Sequence, residues 1–499
     1  MKLSKIKIMG LVLCACFVVL PLIACGGSGK SHSDGAENSG PGATAEQAGK
    51  ENPQDTAAFS RLDVSDDLPE TDYGGYDFNI LYITHLYYTN GLYYSEDEQG
   101  DVLNGAVYNR QRNVEERFGI KINWVPEDLD IYRQVSKAVS AGDDIYDFVL
   151  THCIASVPAM AAGGPVLDLN AIDRFNFEKP WWNRTMNSTL SIGGVLPYGV
   201  SDFIVPEPNA IFFNKAMQQE YGIENLYELV KSGKWTLDKF VETAKITSKD
   251  LNGDGIFDKD DQYGLIMEQD WMMISFMYAA DQKIFEQLPG EPYPTPAWNL
   301  EKMSAVVEKV YHLLFEGNQT FKFPTGFAET DWPLKFDSGR SLFVIHPLSS
   351  SQRLRATDVD FGILPFPKYD GQQKDYVNNS WNGLMCIPNV ASEPDRTAVI
   401  IEALSAESYK YCIPAYYDIL LSTKIARDDE SLEMLDIIFN NCVYDVGLNF
   451  MADWDFLYCI HLLMQQQSKD FMSFYEKNAE RTLRSYTKTF EAIVDKYGK

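Results

Sequence analysis

Between residues 78 and 150 the hydrophobic pattern switches repeatedly between a period of two and a helical period. No other feature limits the fold so strongly. Phe78-Asn79-Ile80-Leu81-Tyr82-Ile83 predicts a strand. Val102 to Phe118 predicts a helix with Val107, Val114 and Phe118 on one face, stopped by Gly119. Ile120-Lys121-Ile122-Asn123-Trp124-Val125 alternates as a second strand. Ile131 to Ala141 predicts a second helix ended by Gly142, and Tyr146-Asp147-Phe148-Val149-Leu150 a third, buried strand. Strands separated by helices of this length pair in parallel, with the helices as crossovers. The chain therefore opens with an α/β unit.

The same grammar returns further on. Trp235-Thr236-Leu237-Asp238 opens a helix with Thr236 as N-cap, which makes Trp235 a packing residue at the helix entry. Phe343-Val344-Ile345 and Phe361-Gly362-Ile363-Leu364 predict strands, and Ala398 to Ser405 and Ser431 to Phe439 predict helices. A body running from about Leu68 to Lys499 is too long for one compact core, so two domains are expected. The sum is two α/β lobes and a helical C-terminal region.

Ahead of this body lies a different kind of segment. Lys2, Lys5 and Lys7 precede an apolar run from Ile8 to Leu22, which is shorter than the roughly 20 residues a membrane-spanning helix needs. The run ends Leu22-Ile23-Ala24-Cys25-Gly26-Gly27, which looks like a bacterial lipobox. By that likeness residues 1–24 are a signal peptide, and Cys25 is lipid-modified and becomes the mature N-terminus. Residues 25–67 then form the lipidated cysteine and a tether rich in Gly, Ser, Ala and acidic residues, too poor in apolar surface to fold. The expected location is the extracellular face of the cell membrane, held by lipid.

The net charge is -28, and loss of the three signal lysines takes it to -31. So acidic a surface repels phosphate backbones and excludes nucleic acid as a partner. Cys153, Cys386, Cys412, Cys442 and Cys459 remain in the mature chain, an odd number without a C-x-x-C pair. Neither a zinc site nor a disulfide framework is indicated.

One local motif suggests a cation. Asp250-Leu251-Asn252-Gly253-Asp254-Gly255-Ile256-Phe257-Asp258-Lys259-Asp260-Asp261 places oxygen side chains at positions 1, 3, 5, 9 and 12 of a calcium loop, with Gly255 at position 6. Asp250, Asn252, Asp254, Asp258 and Asp261, with the carbonyl of Ile256, would wrap a structural Ca²⁺. Asp261 stands where an EF-hand has Glu, and an ordinary acidic turn is the alternative.

Several segments taken in order carry a wider likeness. They are the lipobox, the opening strand-helix alternation and Val166-Leu167-Asp168-Leu169-Asn170, then Lys179-Pro180-Trp181-Trp182 and Ile211-Phe212-Phe213-Asn214-Lys215. Tyr221-Gly222-Ile223, Gly233-Lys234-Trp235-Thr236-Leu237-Asp238, Phe361-Gly362-Ile363-Leu364-Pro365-Phe366-Pro367 and Ala403-Leu404-Ser405-Ala406-Glu407-Ser408 follow. In this the chain resembles the family-1 extracellular solute-binding lipoproteins of bacterial ABC importers, which are akin to maltose-binding protein. The resemblance implies a type II periplasmic-binding-protein-like fold, two α/β lobes with ligand in the cleft between them. Lobe one would hold 68–205 and 358–405, and lobe two 206–357 and 406–499. It implies a monomer that closes on a small solute and delivers it to a membrane permease, without bond breaking.

A sugar presents apolar C–H faces and a polar equator, so aromatic rings and Asp, Asn, Glu or His side chains suit it. Trp181, Trp271, Trp332, Trp381 and Trp454 lie in polar, loop-like contexts and are candidate platforms, each with core packing as the alternative. His152, directly after the third strand, and Asp202, just before the first crossover, are candidate polar ligands; a structural histidine is the alternative for His152. Two other readings stand beside this one. A surface adhesion or sensor lipoprotein would share the fold. An exported carbohydrate-active enzyme would need a carboxylate pair, but no G-x-S-x-G, H-E-x-x-H or P-loop pattern is present.

Overall fold

The computed structural model describes residues 60–498 apart from 85–92, 99–101, 129, 153–160, 206, 268–269, 289–290, 323–335, 337, 351–353, 355–356, 382, 423–428 and 451–453. The opening unit folds as its periodicity predicts. Strand β1 (Tyr76–Ile83) leads to helix α1 (Val102–Phe118), β2 (Ile120–Glu127), α2 (Ile131–Ala141) and β3 (Phe148–His152). β1 pairs in parallel with both β2 and β3. Gly119 and Gly142 take positive φ at the two helix ends, a conformation that costs a residue with a Cβ far more.

The first crossing, around Ser201–Val205, leads into a second sheet. Its strands are β4 (Glu207–Asn214), β5 (Tyr263–Met267), β8 (Thr320–Lys322), β9 (Ser341–Pro347), β10 (Phe361–Leu364), β11 (Asn378–Trp381) and β13 (Cys442–Val443), in the order β13-β11-β4-β9-β5-β8 with β10 also against β4. β6 (Phe285–Glu286) and β7 (Thr295–Pro296) form a separate small ribbon. After β11 the chain returns at once to the first sheet, where β12 (Gly383–Cys386) lies antiparallel to β3 and completes the order β12-β3-β1-β2.

The expected lobe boundaries shift accordingly. Residues 358–381 do not belong to lobe one, because β10 and β11 both pair with β4 of lobe two. The boundary at 405 also moves. The helix Pro394–Glu407 continues through a π turn, Ser408–Cys412, into Ile413–Ser422, and the whole rod runs along α1. Pro414, just past the π turn, cannot donate the N–H a regular helix would use, so the irregularity falls where the ladder is already broken. Buried Arg110 of α1 fastens the rod. Its Nη1 donates to Ser408 Oγ (3.1 Å), and its guanidinium lies 4.3 Å from the Phe203 ring centroid.

Lobe-one packing centres on another buried charge. Glu402 accepts hydrogen bonds from Trp181 Nε1 (2.6 Å), Trp182 Nε1 (3.0 Å) and the Asn176 backbone N–H (2.6 Å). In lobe two the helix entry reads as expected: Thr236 caps Leu237–Thr247, and Trp235 is fully buried with Nε1 on the Pro365 carbonyl (3.0 Å). The last helix, Phe471–Tyr497, packs on Leu300–Phe315 of lobe two. It ends with the Tyr497 hydroxyl donating to the Val166 carbonyl of lobe one (2.6 Å).

Candidate functional site

Strand direction decides where a site can form. In lobe one the carboxyl ends of β1, β2 and β3 lie together, and His152 at the end of β3 pairs with Gly383. In lobe two β5, β8 and β9 run in parallel. β4 runs against β9, and β11 against β4. Glu207, the first residue of β4, and Trp381, the last of β11, therefore stand at the carboxyl ends of β5, β8 and β9. Since Trp381 and Gly383 are nearly consecutive, the two sheets meet carboxyl end to carboxyl end. That is where α/β sheets bind ligands.

The floor of this junction is polar. Trp381 lies opposite Glu207 and Ser380 opposite Pro208, so one more step of the register sets Asn379 opposite Asn209. Glu207 is buried; its N–H donates to Ser380 Oγ (2.9 Å) and its Oε1 accepts from the Ser349 N–H (2.9 Å). Asn209 donates from Nδ2 to Ser275 Oγ (2.9 Å). Its Oδ1, and both polar atoms of the Asn379 amide, are buried without a protein partner. Such groups cost free energy unless something else satisfies them. Burial also pushes the Glu207 carboxyl up to about 7, against the lowering effect of the Ser349 hydrogen bonds.

The expected site residues divide. His152 is buried at the junction, beside Gly383. Asp202 lies in the first crossing with its N–H on the Trp181 carbonyl (2.8 Å), and burial pushes its carboxyl up to about 7, partly opposed by the Arg61 charge. Trp271 is placed by its backbone in the turn Asp270–Met273, just before the Ile274–Ala279 helix that carries Ser275. The backbone of Trp381 ends β11 on the floor itself. Trp454 starts the short helix Trp454–Leu457; the next helix, Cys459–Gln465, packs on the Trp271 turn. Trp332 lies outside the described residues. Trp181 is corrected: its side chain is fully buried and its N–H is committed to Glu402, so it is a packing residue with no face for a ligand.

Sequence reasoning passed over Glu207, Asn209 and Asn379. The available signal was polar residues inside otherwise apolar strands, Glu207-Pro208-Asn209 before Ala210-Ile211 and Asn378-Asn379-Ser380 before Trp381.

The fold is that of the two-lobed solute-binding proteins. No protein-family model matches the chain, and no curated protein matches it in sequence. Solved structures do match. The galacto-N-biose/lacto-N-biose I-binding protein of an ABC transporter from Bifidobacterium longum, in complex with lacto-N-biose, aligns with a TM-score of 0.57 at 14% identity, covering 83% of this chain and 99% of that one. The GacH receptor of Streptomyces glaucescens, studied unliganded and with acarbose, gives 0.54 at 12%, covering 84% and 98%. A cyclo/maltodextrin-binding protein complexed with maltotetraose gives 0.52 at 16%, covering 84% and 97%.

The acidic loop forms as a closed unit away from this floor. Asp250 accepts from the Gly253 and Gly255 N–H groups (2.7 Å each), Asn252 from Asp254 (2.8 Å), Asp254 from Ile256 (2.7 Å), and Asp261 from Leu251 and Asp258 (2.9 and 2.8 Å). A Lys249–Gln262 bridge closes its neck. Among the described residues no cluster of three or more His, Cys, Asp or Glu is arranged to hold a metal ion. The side-chain oxygens here face the loop's own N–H groups.

Proposed function

We propose that this chain is the capture component of an ABC importer, which binds a carbohydrate between its lobes and closes on it. The observation that carries the reading is the polar floor at the junction, where the Asn379 amide and Asn209 Oδ1 are buried without partners beside Glu207. Hydroxyl groups, which both donate and accept, match such a set. The sugar complexes among the structural relatives support the same ligand class. Closure brings both lobes onto one ligand and so shifts the population towards the closed form.

In this reading Cys25 carries the lipid that holds the chain at the outer membrane face, a permease receives the sugar, and the body acts as a monomer. The Asp250–Asp261 loop takes a structural Ca²⁺, for which its oxygens turn inward from the N–H groups they now accept.

Titration with a panel of mono- to tetrasaccharides, followed by small-angle scattering, tests the core of the proposal. A bound sugar recovered unchanged, with a smaller radius of gyration, is the expected result. Turnover of the sugar, or no binding across the panel, overturns it. Cys25→Ser tests the anchor: the variant should leave the membrane fraction.

A further inference from the structure

Lobe one carries a second concavity at β2, the sheet edge farthest from β12 and the crossings. A cavity of about 930 Å³ lies between α1 and β2, closed at one end by residues 94–96. That is the size range of small-molecule sites. Its wall is an aromatic platform. The Tyr94 and Trp124 rings are stacked, with centroids 4.8 Å apart and planes 19° apart, and Tyr82 meets both edge-on at 5.5 and 5.4 Å. The platform is fixed in advance: Trp124 Nε1 donates to Gln111 Oε1 (3.0 Å), and the Tyr82 hydroxyl donates to that of Tyr94 (3.2 Å). Little side-chain entropy remains to be lost on binding.

The chemistry around the platform narrows the occupant. β2 is an edge strand, but the Ile122 N–H is already held by Glu115 Oε1 (2.9 Å), and Pro126 offers no N–H further along. An added peptide strand would find its ladder blocked. The rim sets exposed Glu96 and Glu116 against exposed Arg112 and Lys121, so charges of both signs ring the groove and none of one sign dominates to draw in a charged chain. A neutral ligand with apolar faces and hydroxyls at its edge satisfies both the rings and the rim.

We propose that this flank groove is a second carbohydrate-binding site, which holds a segment of a neutral glycan chain against the Tyr94–Trp124 platform. It does not depend on the interlobe reading, since none of its lining residues lies at the junction. The site acts on an open surface and needs no lobe closure.

Native electrophoresis of the full chain through gels containing soluble glucan, xylan or mannan tests it. At least one polysaccharide should retard the parent. Trp124→Ala should weaken that retention roughly fivefold or more, the loss corresponding to about 1 kcal/mol for one aromatic contact. Tyr108→Ala, a half-buried residue of α1 that lines the groove outside the Tyr82–Tyr94–Trp124 ring cluster, should weaken it too, which covers the case of a misfolded Trp124 variant. Absence of retardation in all three gels, or equal retention by parent and both variants, overturns the proposal. Closure on a small sugar, measured by scattering, should persist in both variants, so failure of this site and failure of the cleft reading are separable.

Discussion

Replacing Glu207 with Gln tests the electrostatics of the junction. The side chain keeps its shape and an oxygen for the Ser349 N–H, but loses the ability to ionise. Burial raises the folded-state carboxyl from 4.5 to about 7, so the fold prefers the protonated acid. A raised acid contributes stability that is complete below 4.5 and is lost as pH climbs towards 7. Each pH unit of that window is worth 1.36 kcal/mol, so the whole loss approaches about 3 kcal/mol as an upper figure. At pH 4 the parent and Glu207→Gln should melt within a degree of each other. At pH 8 the variant should be the more stable, by on the order of 3 °C for a body of this size. Scanning calorimetry of both proteins from pH 4 to 9 measures this, and the difference between them removes the contribution of Asp202, which titrates in the same window. A difference that stays flat from pH 4.5 to 8, or one that favours the parent at high pH, refutes the reasoning.

Other expectations follow from buried charges and the acidic loop. Glu402→Ala strips the acceptor from Trp181, Trp182 and Asn176 at once and should cost about 3–5 kcal/mol of stability in denaturant unfolding; a loss below 1 kcal/mol would show that water replaces the carboxylate freely. Chelation of Ca²⁺ should lower the melting temperature, and Asp250→Ala with Asp254→Ala should remove that response. If the loop holds calcium at about 100-fold above its Kd, the stabilisation is about 2.7 kcal/mol. Identical melting with and without calcium counts against the site.

Much of this was legible in the residues, and the exceptions share a cause. Periodicity found β1, α1, β2, α2 and β3, because each buries one stripe or face against a neighbour within the same unit. Trp235 was placed correctly because a cap at Thr236 is a local device. The lobe boundary near 358 failed because β10 and β11 look like any strands, and only their long-range pairing with β4 assigns them to lobe two. Trp181 misled for a related reason: its polar neighbours suggest a surface loop, yet Glu402, more than two hundred residues later, draws it into the core. The floor itself escaped because Asn209 and Asn379 sit far apart in the chain and meet only through strand register.

The closing bond from the Tyr497 hydroxyl to the Val166 carbonyl bears on how the chain is made. During synthesis from the N-terminus, the first sheet lacks β12 until residue 386 has emerged, and its Val166 region lacks its final partner until residue 497 has. Lobe one is thus the first begun and the last finished. For the same reason, trimming a few residues from the C-terminus should damage the lobe that lies farthest away in sequence.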